Sequence, residues 1–509
     1  MKRFLSRYAA AGLLLALQAC TTLGPDYAEP EIDWVEVWES DLYGRASSVD
    51  TQTPVQQDLT FWWEAFNDPV LNQLIETARE ENPGLRLAGL AIAQSRALLG
   101  IAAGSRYPQL QQANGAVARV DSWPTEGDNS GDRSDLTSYN LGFDIGWELD
   151  FWGRFARGIE SADAAFFASI TNQQDAQILL SAQVAQAYFT YRTTAQQIEI
   201  ARMNADLQKR SLDITQRLYD SGQDSELDLQ QAKTQYLSTI ATIPALEASL
   251  QQIGNALSVL LARPPGELPE LTANAPPLPR LDPVMIQEMP ARLMMRRPDI
   301  RTAAWQVASQ SAQIGVAEAE LYPAISLFGT IGWSGSSLDG SVDTLSTGIG
   351  PSFSWNLFNY GRLENNVRFQ DALLQQSIVR YESTVLQAAR EIDDAAISVV
   401  KTREQDAMLA DALASSERAL KLATTRYREG YSDFQRVLDA QRSLAVQSPT
   451  YVVNQGAHLN AVIDFYKALG GGWQPATAED FIPADTRQAM QQRTDWGELL
   501  KQPLPLPPR

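Results

Sequence analysis

Apolar and polar positions alternate with a period of two in two well-separated stretches of the chain. Leu141, Phe143, Ile145, Trp147 and Leu149 alternate with Asn140, Gly142, Asp144, Gly146 and Glu148, and Ile349, Pro351, Phe353, Trp355 and Leu357 alternate with Gly350, Ser352, Ser354 and Asn356. Each stretch predicts a strand with one apolar and one polar face. Partner strands are expected after Tyr107-Pro108 and Tyr322-Pro323, over roughly 109 to 121 and 324 to 336, the second alternating as Ile325, Leu327, Gly329, Ile331 and Trp333. The chain therefore holds two hairpins whose strands are long enough to cross a bilayer when tilted.

Behind each hairpin the period becomes helical. Arg362 to Glu429 contains neither Gly nor Pro, and Arg154 to Ser221 contains only Gly158. A helix of that length reaches about 100 Å. One moderately apolar stripe runs along the second of them, through Leu363, Val367, Gln370, Leu374, Ile378, Tyr381, Val385, Ala388, Ile392, Ala396 and Val399. The helices end at Tyr219-Asp-Ser-Gly222 and Tyr427-Arg-Glu-Gly430, where Gly222 and Gly430 can take the left-handed conformation of a helix stop. Returning helices follow over about 224 to 262 and 432 to 469.

The two halves are copies. Trp147 to Arg154 matches Trp355 to Arg362 at an offset of 208, and that offset also pairs Val184 with Ile392, Ala187 with Ala395, Tyr219 with Tyr427 and Ala232 with Ala440. The Tyr-Pro pairs stand at an offset of 215, so the first copy carries an insertion, placed in the polar tract Thr125 to Asp132. The chain divides into a signal peptide (1–19), a lipid-anchored N-terminal segment (20–65) and a first repeat (66–262, hairpin about 107–152, helices 66–106 and 153–262). A Pro-rich linker (263–290), a second repeat (291–469, hairpin about 321–360, helices 291–320 and 361–469) and an irregular tail (470–509) with no assigned role complete it. The fold class is mainly α with a transmembrane β portion, a duplicated unit of β-hairpin plus long helical hairpin. Four spanning strands cannot close a barrel, and an open edge in hydrocarbon costs several kcal/mol. The chain must borrow strands: two protomers supply eight and three supply twelve.

Composition narrows the chemistry. With 41 Lys+Arg against 61 Asp+Glu the net charge is −20, which would repel nucleic acid. One His and one Cys leave little from which to build a metal site or a catalytic triad. Asp393-Asp394 reads as a solvated helix face. Arg296-Arg297 with Asp299 could suggest an anion site, yet Pro298-Asp299 also reads as a helix start with an acid at the positive end of the dipole. His458, the only base available to a hydrolase, lies between Ala457 and Leu459 and reads as a packed side chain. No cofactor is expected.

The amino terminus, MKRFLSRYAAAGLLLALQAC, has a basic start and an apolar stretch too short for a permanent span. Leu17-Gln18-Ala19-Cys20 resembles a bacterial lipobox, whose Cys is acylated after cleavage, and Thr21 in place of Asp implies passage to the outer membrane. The stretch Pro290 to Arg301, with Arg-Arg-Pro-Asp-Ile at its centre, and Ala312 to Pro323 resemble the midpoint signature of TolC-type outer-membrane efflux proteins. Trp62-Trp63-Glu-Ala-Phe66-Asn-Asp-Pro69 and Leu469-Gly-Gly-Gly-Trp473 resemble its lipoprotein branch (NodT/OprM-like), which serves resistance-nodulation-division (RND) pumps.

That resemblance implies a homotrimer with a twelve-stranded barrel continued by a periplasmic helical barrel. It further implies docking to a periplasmic adaptor (membrane fusion protein) and an inner-membrane RND transporter, with passive conduction of expelled solutes. A duct for type I polypeptide secretion and a non-conducting trimeric scaffold of the same fold are the alternatives. It also implies a gate at the periplasmic helix tips. The matching residues are Asp228, Tyr427 and Asp439, with Arg442 on the Asp439 face, able to pair with it within the chain or to reach a neighbour. Lys233 stands at a different spacing from Asp228, and Arg436 stands where some members have another acid. Replacing Cys20 by Ser should abolish acyl labelling while the strands keep the protein membrane-inserted; metabolic labelling with a fatty acid, read after membrane fractionation, checks both outcomes.

Overall fold

The computed structural model describes residues 22–37, 59–122, 134–266, 268–271, 277–281, 294–336, 344–475 and 482–505. Cys20 and the signal segment lie outside the described residues. A short helix α1 (Asp33–Val37) and one 3-10 turn (Trp62–Phe66) lead into α2 (Pro69–Glu81). Then α3 (Pro83–Gly104), β1 (Leu110–Ser122), β2 (Ser134–Leu149), α4 (Arg154–Asp220) and α5 (Glu226–Leu260) form one copy. The second is α6 (Pro298–Ala319), β3 (Ala324–Gly335), β4 (Thr344–Ser354), α7 (Arg362–Arg428) and α8 (Phe434–Ala468), with α9 (Ala484–Arg493) in the tail. Helix lengths repeat between copies: 22 residues for α3 and α6, 67 for α4 and α7, 35 for α5 and α8.

Local chemistry starts each element where the sequence allows. Asp68 and Asn82 accept from the second and third backbone N–H groups of α2 and α3, and Pro69 and Pro83 fill the first helical positions. Arg297 is held extended by the following proline, and α6 begins at Pro298 with Asp299 in its first turn. Gly153 and Gly361, at φ of 76° and 81°, turn the chain from strand into long helix in a conformation that L side chains resist. The repeat extends to single hydrogen bonds. Trp147 Nε1 donates to the Arg106 carbonyl at 3.1 Å, and its equivalent Trp355 Nε1 donates to the Leu321 carbonyl at 2.9 Å, each locking the base of a hairpin to the residue before Tyr-Pro.

The strands form one antiparallel sheet in the order β1-β2-β3-β4. Its register lines Leu141 with Trp333 and Leu345, and Phe143 with Ile331, so odd-numbered apolar residues of β2, β3 and β4 occupy one face. The other face carries Asn140, Asp144, Glu148, Ser326 and Ser352; Phe328 interrupts it, packed over Gly348 and Gly350. No described residue covers the apolar face: Ile349 is 92% exposed and Phe353 is 75% exposed. The outer edges of β1 and β4 pair with no other described strand.

The core lies at mid-height, where the long helices are packed on all sides. Tyr381, Val385, Ala388, Ile392, Ala396 and Val399 of the α7 stripe are buried, against Leu71, Leu74 and Ile75 of α2, Phe189 of α4 and Phe465 of α8 in one cluster. Beyond Val399 the only residue of α7 buried within the described chain is Ser416. The tail is not irregular throughout. Its helix α9 is polar along its length, which hid it from a reading based on apolar period. Met490, with Ile482 and Leu500, buries against Ile92 of α3 and Phe166 and Phe167 of α4. Arg96 fixes the end of the tail by donating to the carbonyls of Leu499 (2.8 Å), Gln502 (2.8 Å) and Pro503 (3.0 Å).

The middle of the core contains an ion pair. Arg192 of α4 meets Asp68 at 2.7 Å with both side chains under 10% exposed, and Tyr188 donates to the same carboxylate oxygen at 2.8 Å. Asp68 also caps α2, so one carboxylate joins a helix start to a long helix. Asp68→Ala should strand the Arg192 charge and cost about 3–5 kcal/mol, while Asp68→Asn, whose one amide oxygen can still cap α2, should cost less. The order of thermal dissociation temperatures of the purified protein in detergent, wild type above Asn above Ala, checks this.

Candidate functional site

Both long helices end far from the sheet in the same motif. At the first tip Gly222 has φ of 74°, its N–H bonds the Tyr219 carbonyl at 2.9 Å, and Gln223 N–H bonds the Leu218 carbonyl at 2.8 Å. At the second, Gly430 has φ of 76°, with matching bonds to Tyr427 (3.0 Å) and from Tyr431 to Arg426 (2.9 Å). These pairs close the last carbonyls of a helix around a left-handed residue. The returning helices are capped by Ser225 and Asp433. Gly222 and Gly430 thus each stand at the end of a long helix.

The two tips touch. Phe434, Val437 and Leu438 of α8 bury with Ala232 of α5, flanked by Leu212, Leu420, Ala423 and Tyr427. The Tyr427 ring packs 5.4 Å from the Phe434 ring, and its hydroxyl donates to Asp224 at 3.3 Å, bridging the second tip to the first. Burial and the neighbouring Asp224 carboxylate push the Tyr427 phenol up to about 12, so it stays protonated and donating throughout the physiological range. Partial burial, with the nearby Asp228 carboxyl adding to it, also raises Asp224 above the usual aspartate range. Asp228 accepts from Ser225 Oγ at 2.6 Å while its own N–H bonds that hydroxyl, a reciprocal helix cap.

Asp439 and Arg442 lie further along α8. They pair within the chain at 3.7 Å, half-exposed, and Asp439 also accepts from Gln435 at 3.1 Å. Arg442 reaches across to Gln235 of α5 at 3.3 Å. The structure thus gathers Tyr427 and Asp228 around Asp224, and holds Asp439 and Arg442 as a separate pair spanning α8 and α5. Asp224 and Gln235 were not singled out from the sequence. Both contacts run between copies, and an internal alignment matches a position to its equivalent rather than to its neighbour.

The remaining candidates have structural partners. Arg297 donates to Asp299 and Glu391 at 2.8 Å and to the Ala468 carbonyl at 2.9 Å, so its positive charge is already matched by carboxylates rather than open to an anion. Burial and the charge of Asp299 push nearby Asp175 up to about 6, with Arg297 pulling the other way. His458 bridges Thr402 Oγ1 and the Leu281 carbonyl, both at 2.9 Å. Asp394 pairs with exposed Arg390 at 3.8 Å. Among the described residues no group of three or more His, Cys, Asp or Glu is placed to hold a metal ion.

Comparison with known proteins agrees with this architecture. A family model described as "Outer membrane efflux protein" matches residues 74–263 and 289–471. The solvent efflux pump outer membrane protein SrpC of Pseudomonas putida is 31% identical over 465 residues, covering 90% of this chain and 97% of that protein. The cation efflux system protein CusC of Escherichia coli O6:H1 gives the same identity and coverage. The solved structure of the outer-membrane channel OprN matches at a TM-score of 0.78 and 32% identity, over 89% of this chain and all of that one.

Tyr427→Phe removes only the bridging hydroxyl and leaves the ring on Phe434. A single such bond is worth about 0.5–1.5 kcal/mol, so amide exchange in residues 221–227 should rise about twofold to tenfold, and that of residues 381–399 should not change. Hydrogen–deuterium exchange resolved by peptide reads both.

Proposed function

The chain belongs to the outer membrane efflux protein family and is an outer-membrane channel component of efflux machinery; from that premise we propose that three copies form one continuous exit duct, closed at its periplasmic end by the helical tips. The observation that carries the proposal is the open sheet. Four strands present an exposed apolar face and two unpaired edges, a combination stable in hydrocarbon only when neighbouring chains continue the sheet until it closes. Three chains would bring twelve strands, with the polar face turned to an aqueous lumen. Because each long helix leaves its strand directly through Gly153 or Gly361, the helices continue the wall below the membrane.

The N-terminal segment supports a lipid anchor. Leu23 N–H bonds the Trp152 carbonyl at 3.1 Å, and Arg157 grips the carbonyls of Leu23 (2.9 Å) and Gly24 (3.1 Å). Thr22 lies so close to Gly153 that a Cβ there would collide with it. Thr22 thus stands at the junction between sheet and helices, a level that suits an acyl anchor on Cys20, two residues earlier in the sequence. Transport through the duct is passive: relatives named for solvent and for cation efflux are equally similar to this chain, so the choice of cargo rests with an inner-membrane RND pump joined through a periplasmic adaptor.

The closed end would be held by the tip contacts: Tyr427 on Asp224 with Asp228 beside it, and Asp439 with Arg442 on Gln235. Three copies of Asp439 near an axis would repel one another unless Arg442 or a cation offsets the charge. In planar bilayers the wild type should conduct poorly, Asp439→Ala with Arg442→Ala should conduct better, and Tyr427→Ala should add to the gain. Divalent cations on the periplasmic side should block the wild type more than the double mutant. A wild type that inserts as an intact trimer and passes no current in any variant would refute the duct.

A further inference from the structure

The two helical tips share one geometry and carry opposite charge. The offset that superposes Gly222 on Gly430 also superposes Asp213 on Lys421, Asp220 on Arg428 and Asp228 on Arg436. At each of these positions an acid in one copy is a base in the other. Residues 213–228 hold five carboxylates and one arginine, whereas residues 421–436 hold four basic side chains and two carboxylates. Asp213, Asp220, Lys421, Arg428 and Arg436 are exposed. Apart from the bond that Gln216 donates to Asp220 at 2.9 Å, their side chains make no hydrogen bond or ion pair with another described residue. Asp213 and Asp220 are seven residues apart, as are Lys421 and Arg428, which puts each pair on one helix face.

Packing does not account for the reversal. The sign changes between Asp213 and Lys421 and between Asp220 and Arg428 fall on exposed positions, while the packed cluster between the tips is filled by other residues, Phe434, Val437, Leu438 and Ala232. Exposed apolar side chains sit among these charges: Leu227 at the first turn is 65% exposed and Tyr431 at the second is 77% exposed. Apolar points within a charged rim are the composition of a protein-binding surface. The Tyr427–Asp224 bond holds the acidic and basic tips side by side, so each chain presents one surface with a negative and a positive half.

Resting on the reading that the tips meet a periplasmic adaptor, we infer that these halves set the register of docking. The partner segment that fits is a helical hairpin end with basic side chains on the edge facing the Asp213 and Asp220 tip and acidic ones on the edge facing the Lys421 and Arg428 tip. A ring of three duplicated chains offers six tips of nearly equal shape. Shape alone would leave the partner free to bind one tip out of register; alternating charge makes the shifted position repulsive.

The test uses the full-length channel and its full-length cognate adaptor in detergent, with binding followed by biolayer interferometry across a salt series. Asp213→Lys with Asp220→Arg removes the negative charge of the first tip, leaving three acidic and three basic side chains in residues 213–228, and Lys421→Asp with Arg428→Asp makes both tips negative. Each pair should weaken adaptor binding about tenfold at low salt, with the difference fading at high salt, and should leave trimer melting and single-channel conductance as in the wild type. The fourfold variant, which exchanges the sign at all four positions, should also fail, because the partner's edges then meet like charge at each of them. Unchanged affinity in both pairs overturns the inference. So does a loss of trimer stability in each pair that the fourfold variant restores, since that pattern assigns the charges to contacts between channel chains. A wild type that binds no adaptor at all overturns the docking reading itself, a different result from variants that bind as well as the wild type.

Discussion

An open β-sheet cannot exist in hydrocarbon, and most of what is distinctive in this chain follows from that constraint. Backbone groups on the free edges of β1 and β4 have no water to turn to inside a membrane, and each unmet group costs several kcal/mol. Alternation then fixes the rest of the sheet: apolar residues at odd positions from Leu141 to Phe353 require lipid on one side, and Asp144 and Glu148 require water on the other. Closure by neighbouring chains satisfies both at once. It also sets the spacing of the long helices, since Gly153 and Gly361 hand each strand to a helix without a linker.

Below the sheet, stability is concentrated in two places. The tail docks nearer the sheet on Ile92, Phe166 and Phe167, and the Asp68–Arg192 pair and the aromatic group around Trp62, Phe66, Phe189 and Tyr466 gather near mid-height. There α2, the 22-residue helices and the ends of the 35-residue helices meet the 67-residue ones. Toward the tips the packing thins to a small cluster on Phe434 and a few hydrogen bonds. A chain so built is most firmly packed near mid-height and most weakly tied at its tips.

Much of this was legible in the sequence because the duplication supplied each signal twice. Strand alternation, the Gly-free helices and the turns at Gly222 and Gly430 each had a second witness at a fixed offset, and the shared family motifs fixed the architecture. What escaped reading had no periodic signature. Helix α9 is mostly polar and buries Met490 alone, and the end of the tail that follows it is held by Arg96, 403 residues from Leu499 in the chain. Asp224 is aligned with Ser432 by the repeat, so its bond to Tyr427 shows only when the two tips are placed together in space.

The unequal support along α7 has a mechanical consequence. Its last buried apolar residue is Val399, and Tyr427 stands 28 residues further on, about 42 Å along the helix axis. The distal segment is a cantilever clamped at one end. A tilt of about three degrees at the clamp carries the free end about 2 Å, enough to part a hydroxyl from a carboxylate that it meets at 3.3 Å. Small rearrangements in the packed belt are thereby amplified at the mouth, so substitutions around Val399 that never approach the opening should be as consequential for it as those that line it.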